Sequence, residues 1–286
     1  MSEENINNES WDLIIKPHTG LFNLHLEDLW RYRDLILLFV KRDFVTFYKQ
    51  TILGPLWYIL QPLLTTIVFT VIFGRVARIS TDGIPPFLFY LSGTVAWNYF
   101  ANCLTETSNT FVSNAAIFGK VYFPRLTVPL SVVIINLLKF SIQLFLFLCF
   151  YVYFVSLGSL VRPTLIILWL PVMIFQMALL GLGMGILISS LTTKYRDLSY
   201  LMSFVVQLWM YTTPVVFPAS IVPEKFRFLY MLNPMAPIIE MFRFAFLGSG
   251  MVNPVYISIG WCVTLCVLFT GIILFNRIEK SFMDTV

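Results

Sequence analysis

The chain is 286 residues long, 58% hydrophobic and only 12% charged, with a formal net charge of +4 and a mean hydropathy of +0.81. These values lie well outside soluble globular norms and exclude a water-soluble enzyme or binding module. The basic residues are spread along loop segments, which argues for orientation in a membrane and against nucleic-acid binding.

Residues 1–25 form a polar, acidic arm (Glu3, Glu4, Glu9, Asp12) without the charged-then-apolar pattern of a cleaved signal, so no signal peptide is expected. Residues 26–50 are predicted to form an amphipathic interface helix. One arc of roughly 100° collects Leu26, Leu29, Trp30, Leu37, Val40, Phe44 and Phe47, and Arg31, Asp34, Lys41 and Arg42 lie elsewhere on the helix. Such a helix lies flat on a membrane surface. Gly54-Pro55 then supplies a bend into the first span.

Six apolar stretches follow: Leu56–Phe73, Phe87–Thr105, Leu126–Val155, Thr164–Leu191, Leu198–Phe217 and Val255–Phe275. A helix needs about 20 apolar residues to cross a bilayer core of roughly 30 Å, and lipid offers no partners for free backbone amides. The predicted fold is therefore an all-α membrane protein of about six transmembrane helices in one domain over 1–286. Its spans one to five run over 56–217, its sixth over 255–275, and a tail over 276–286.

Polar stripes mark several spans. On the second, Thr94, Asn98, Asn102, Thr105, Glu106, Asn109 and Ser113 share a face. On the third, Asn136, Lys139 and Gln143 share a face that Phe147, Phe150 and Phe154 continue. The fifth strings together Ser199, Ser203, Gln207 and Tyr211. Such rows face other helices or a wet cavity rather than lipid. As a conduit they place Asn98, Asn102, Glu106, Asn136, Lys139, Gln143, Phe147, Phe150, Phe154, Gln207 and Tyr211 on the lining; as structure they are interhelical hydrogen bonds. Lys139 either attracts phosphate groups or is paired with Glu106 of a neighbouring helix. On the fourth span Gly181, Gly185 and Ser189 form a small-xxx-small row for close helix approach within one subunit.

Within the segment 218–253, Phe226–Gly248 is apolar enough to resemble another crossing, yet contains Asn233, Pro234, Pro237, Glu240 and Arg243. Two prolines three apart are expected to break it into short helices that form a re-entrant external hairpin between spans five and six. Orientation follows from the basic residues. Lys16, Arg31, Arg33, Lys41, Arg42, Lys49, Lys120, Arg125, Lys194, Arg196, Arg277 and Lys280 fall on the side of both termini. Arg75, Arg78, Arg162, Lys225, Arg227 and Arg243 fall on the other. The positive-inside rule then puts both termini in the cytoplasm.

Histidine occurs only at His18 and His25, before the first span, so no metal site or intramembrane histidine base is expected. The four cysteines lie inside apolar stretches and read as packing residues. Gly119-Lys120 lacks the rest of a phosphate-binding loop, so nucleotide hydrolysis in that manner would need another subunit.

A set of short blocks in fixed order resembles the membrane subunits of type-2 ABC exporters for polysaccharides and polyol phosphates, in the O-antigen, capsule and teichoic-acid branch. They begin at Leu29-Trp30-Arg31-Tyr32-Arg33-Asp34-Leu35-Ile36 and Arg42-Asp43, then Tyr48-Lys49-Gln50-Thr51, Leu53-Gly54-Pro55-Leu56-Trp57 and Gln61-Pro62. Phe123-Pro124-Arg125 with Pro129, and Tyr195-Arg196-Asp197-Leu198, come next. Thr213-Pro214-Val215, Phe217-Pro218, Asn233-Pro234-Met235, Arg243 and Phe275-Asn276-Arg277-Ile278-Glu279 complete the series.

The resemblance implies a homodimer in the bacterial inner (plasma) membrane, multi-pass, with two cytoplasmic ABC ATPase subunits that carry the ATP and Mg. The substrate implied is a lipid-linked polysaccharide, and the chain itself is a transport subunit with no cofactor and no catalytic residue. The coupling surface implied is Trp30, Arg31, Asp34, Arg42, Asp43, Asn114, Phe118, Lys120, Phe123, Pro124, Arg125, Tyr195, Arg196 and Asp197. The external gate implied is Pro214, Pro218, Asn233, Pro234, Pro237, Glu240 and Arg243. Two other readings compete. A proton-coupled secondary transporter of a lipid or polar small molecule needs intramembrane carboxylates, for which Glu106 and Glu240 are the candidates. An intramembrane transferase needs a base and acceptor constellation, which the residues do not form.

Overall fold

The computed structural model describes residues 26–50, 53–118, 120–121, 123–159, 161–192, 195 and 197–281, without the side chains of 26–28, 47, 48, 50 and 279–281. The arm over 1–25, Thr51, Lys194, Arg196 and the last five residues of the tail lie outside the described residues. All described regular structure is helical.

The expected interface helix divides at Tyr32 into α1 (Leu26–Arg31) and α2 (Arg33–Gln50). Asp34 in the first turn of α2 and Lys49 in the last complement its dipole. The apolar arc is also divided. Leu29, Ile36, Phe39 and Val40 are buried against the bundle, whereas Trp30, Leu37, Leu38 and Phe44 are exposed, Trp30 at 73%. This helix has apolar residues on more than one side, and packing claims one of them.

The Gly54–Leu56 turn leads into α3 (Trp57–Phe69). Gly54 sits at φ +49°, where only glycine avoids a Cβ clash, and Pro55 presets the first helical φ. α3 loosens into a π-helical stretch over Thr70–Val76 before α4 (Pro86–Ser108) and α5 (Thr110–Phe118). Next come α6 (Thr127–Ser156), a short 3₁₀ turn at Leu165–Trp169, and α7 (Leu170–Thr192). The chain closes with α8 (Leu198–Tyr211), α9 (Glu224–Met231), α10 (Met235–Leu247) and α11 (Pro254–Ser281).

α4 is the axle. It packs against α3, α6, α7, α8 and α10, and Leu88 through Trp97 are buried without a break. α7 fits between α4 and α11 because its two sides are both shaved to glycine. A Cβ at Gly181 would lie 2.7 Å from Cys103 Cβ, and one at Gly185 only 2.5 Å from Thr107 Cβ. On the other side a Cβ at Gly183 would lie 2.8 Å from Leu268 Cα, and one at Gly271 2.6 Å from the Gly183 carbonyl oxygen. The small-residue row thus serves contact within the subunit.

Among the described residues, four stretches are long and apolar enough to cross a bilayer: Gly54–Val76, Thr127–Ser156, Leu165–Thr192 and Pro254–Ile278. The other two expected spans differ for distinct reasons. α4 has 23 residues, about 35 Å at the usual helical rise, but carries the polar row; wrapped by protein, it meets little else. α8 is apolar but stops after 14 residues at Tyr211, short of the predicted Phe217. Pro214 ends it, having no N–H to donate and excluding its predecessor from the α region. The Thr213 hydroxyl instead donates to the Trp209 carbonyl at 2.7 Å.

The segment after α8 divides once. The break is at Asn233-Pro234, where the Asn233 Nδ2 donates to Thr213 Oγ1 at 3.1 Å and its Oδ1 accepts the Met235 N–H at 3.1 Å. The two short helices expected from the sequence are α9 and α10, and Pro237 makes no break of its own. It falls in the first turn of α10, where the missing N–H has no intrahelical partner to lose. Gly248 closes α10 in the left-handed conformation, φ +72°.

Candidate gate, conduit and coupling surfaces

The most buried charges lie on α10. Arg243 and Glu240 are one turn apart, with Nη1 3.3 Å from Oε1, and their side chains are 1% and 2% exposed. Taking both from water is costly unless the remaining polar groups are matched, and of the guanidinium nitrogens Nε has no hydrogen-bond partner. Glu240 Oε1 accepts the Ala219 N–H at 3.1 Å, and Oε2 accepts the Met251 N–H at 2.9 Å. Arg243 Nη2 donates to the Val215 carbonyl at 3.3 Å, and the guanidinium lies 3.6 Å from the Phe89 ring centroid. Burial lowers the Arg243 pKa to about 10, with the Glu240 carboxylate opposing the shift, so the guanidinium stays charged at neutral pH.

A single ion pair therefore fastens α10 to α4, to the turn after α8 and to the strap before α11. Gly93 makes room for it, since a Cβ there would lie 2.9 Å from Arg243 Nη2. Pro214, Pro218, Pro234 and Pro237, all expected in the gate, are buried, and Asn233 is half-buried. Sequence reasoning found the two charges but missed Phe89, Gly93 and the backbone groups of Val215, Ala219 and Met251. Main-chain donors and acceptors have no sequence signature.

The polar rows of α4 and α6 meet each other. Lys139 Nζ lies 2.6 Å from Glu106 Oε1, and Asn136 Nδ2 donates to Glu106 Oε2 at 2.8 Å. Asn98 Nδ2 reaches Gln143 Oε1 at 3.5 Å. Of the two sequence readings of Lys139, the structure adopts the ion pair, with the Tyr58 ring centroid 5.8 Å from Nζ. Tyr58 escaped the sequence reading because it belongs to α3 and only the bundle brings it here.

The aromatic continuation of α6 divides. Phe147 is wholly enclosed, 5.2 Å from Phe246 and 5.8 Å from Phe242 by ring centroids, and presents no open face. Phe150 and Phe154 are half-buried on either side of Phe87, at 4.7 and 6.1 Å. Asn102 is half-buried on α4, and Gln207 and Tyr211 are exposed on α8.

A second core gathers the expected coupling residues at one end of the bundle. Phe118 and Phe123 are buried with Phe39, Phe111 and Phe275. Their ring centroids are 5.6 Å apart, and Phe39 stands 5.7 Å from Phe123. The Arg125 guanidinium lies 5.7 Å from the Phe118 ring. Phe118 and Phe123 are thus the bed of this surface. Its rim is charged and accessible: Trp30, Arg31, Asp34, Arg42, Lys120, Tyr195 and Asp197 are exposed, and Asp43, Asn114, Pro124 and Arg125 are half-buried. Arg42 Nε pairs with Asp43 Oδ1 at 2.7 Å. The Thr192 hydroxyl donates to the Ser108 carbonyl at 3.1 Å, and the Phe111 N–H to Ser189 Oγ at 3.4 Å, which brings the end of α7 to the same place.

Comparison with known proteins gives consistent matches over nearly the whole chain. The family model described as ABC-2 type transporter matches residues 34–247. The O-antigen export system permease protein RfbA of Klebsiella pneumoniae is 32% identical over 254 residues, covering 88% of this chain and 94% of that protein. RfbA of Myxococcus xanthus is 26% identical over 263 residues, covering 91% and 98%. The capsule polysaccharide export inner-membrane protein CtrC of Neisseria meningitidis serogroup B is 23% identical over 271 residues, covering 90% and 97%.

Proposed function

The chain belongs to the ABC-2 type transporter family, and from that premise we propose that it is the permease subunit of an ATP-driven exporter moving a lipid-linked polysaccharide across the bacterial inner membrane. The observation that carries this reading is the near end-to-end match to O-antigen and capsule export permeases. The competing proton-coupled mechanism needs a free carboxylate in the membrane, and both candidates, Glu106 and Glu240, are spent in ion pairs.

Two copies pair around the conduit, and each carries an ABC ATPase that holds ATP and Mg. The exposed rim around Arg31, Lys120 and Asp197 suits that docking, and the exposed Trp30, Leu37 and Phe44 suit an α1–α2 segment lying in the interface. α4 and α8 complete six crossings, with α4 shielded from lipid. Both termini are cytoplasmic. The conduit runs along the accessible parts of the predicted faces, including Gln207, Tyr211, Asn102, Phe150 and Phe154, and the Glu240–Arg243 segment closes its outer end.

Introduced with its ATPase into a strain lacking its own O-antigen permease, the chain is expected to restore polysaccharide at the cell surface, as read by immunoblot of intact cells. Surface polymer that stays absent while both subunits accumulate would remove this reading. Orientation has its own test. In a cysteine-free background, Glu224→Cys and Ser249→Cys are expected to react with an impermeant thiol reagent added outside. Labelling of either from the cytoplasmic side alone would mean that 219–250 crosses the membrane.

A further inference from the structure

An unassigned cavity of about 330 Å³ opens where α8 ends and α9 begins, at the small end of the range for ligand pockets. Its lining combines three aromatic rings (Trp209, Phe226, Tyr230) and two aliphatic side chains (Val222, Leu229) with the neutral polar Thr212 and Asn233, and no charged residue lines it. Two of the rings are held from behind. Trp209 packs edge-on at 6.0 Å from Trp97 and 5.2 Å from Phe100, and Tyr230 lies 5.7 Å from Phe217. Phe226 is 62% exposed at the rim.

The polar part of the lining exists because α8 stops early. The Thr212 hydroxyl donates to the Trp209 carbonyl at 2.9 Å, which leaves its oxygen to accept. Asn233 donates to Thr213 and accepts from the Met235 N–H, keeping a second lone pair on Oδ1. An occupant must therefore show apolar faces to rings and donate hydrogen bonds at its edge. A pyranose unit does both, with axial C–H groups on its face and hydroxyls around its rim. A phosphate or lipid headgroup would find no cation in the lining, and an acyl chain would leave the polar acceptors unmatched.

We propose that this cavity is a binding subsite for one uncharged sugar unit of the polymer, an aromatic rest at the outer end of α8. The inference rests on the polysaccharide-exporter reading above and names a site for it. Each contact is shallow, so a chain held here is released to the next unit.

The test uses the whole complex with its ATPase in nanodiscs. The probe is an oligosaccharide freed by mild acid from the cell's own exported polymer, with inorganic phosphate as the control. Saturation-transfer NMR is expected to mark the sugar C–H protons and leave phosphate without effect as a competitor. Trp209→Leu is expected to weaken that signal roughly fivefold, and Trp209→Phe to keep most of it. In cells, Phe226→Cys is expected to export more slowly than the wild type, and an impermeant maleimide is expected to stall the export that remains. Full signal in Trp209→Leu, or unimpeded export after complete maleimide labelling, overturns the subsite. Separation of the two copies by Phe226→Leu in native mass spectrometry would also overturn it, making the groove a subunit contact. Failure of the wild type itself to export polysaccharide would sink the exporter reading instead, which keeps the two failures distinct.

Discussion

Glu240→Ala is expected to abolish export and to loosen the outer third of the subunit, with a stability loss of about 3–5 kcal/mol. The size comes from what is left behind. Arg243 remains fully buried without its counter-charge, and the Ala219 and Met251 N–H groups lose their acceptor together. Glu240→Gln keeps an acceptor but cannot neutralise Arg243, so it is expected to fall between the two. Replacing both charges, as Glu240→Gln with Arg243→Met, removes the unpaired cation and is expected to recover part of the stability. Recovery of export is not expected, because the Val215 carbonyl and the Phe89 face lose their shared partner. Thermal unfolding of the purified complex and surface polymer in cells read the two effects separately. A Glu240→Ala protein as stable and active as wild type would show that the pair fastens nothing.

Charge reversal on the exposed rim at Arg31 and Lys120 is expected to separate the ATPase from an intact permease. Arg31 and Lys120 are exposed, and neither side chain is needed to fill the core. Arg31→Glu with Lys120→Glu should weaken co-purification of the ATPase tenfold or more, since removing and inverting two rim charges costs more than about 1.4 kcal/mol. Membrane insertion and thermal stability should stay unchanged. Phe118→Ala provides the contrast: it opens a hole beneath the same surface and is expected to cost about 3–5 kcal/mol in folding. If the double reversal left ATPase association intact, the docking surface would lie elsewhere.

Lys139 shows how far a sequence pattern reaches. Its place on one face with Asn136 and Gln143 was legible from helical spacing, and so was Glu106 on the neighbouring row. Whether the two rows bordered water or each other was not, because spacing says which residues share a face and not what the face meets. The 2.6 Å ion pair shows that the two rows meet at these residues, with the Glu106 side chain still 41% exposed. Phe147 carries the same lesson. Its position continues the polar face, yet α10 covers it with Phe242 and Phe246, nearly a hundred residues downstream.

What the sequence determined by itself is what depends on local stereochemistry and on total apolar length. The membrane class, the bend at Gly54-Pro55, the break at Asn233-Pro234 and the glycine row on α7 all belong here, since each follows from a residue's own backbone freedom, missing donor or missing side chain. The tertiary structure alone decided which apolar side of α2 is buried, that α4 is the sheathed axle, and that Glu240 and Arg243 clamp four segments. These outcomes depend on neighbours distant in the chain and on backbone carbonyls and amides, such as those of Val215 and Met251, that are chemically alike at every position. A main-chain group becomes a specific partner only when packing brings a particular charge to it.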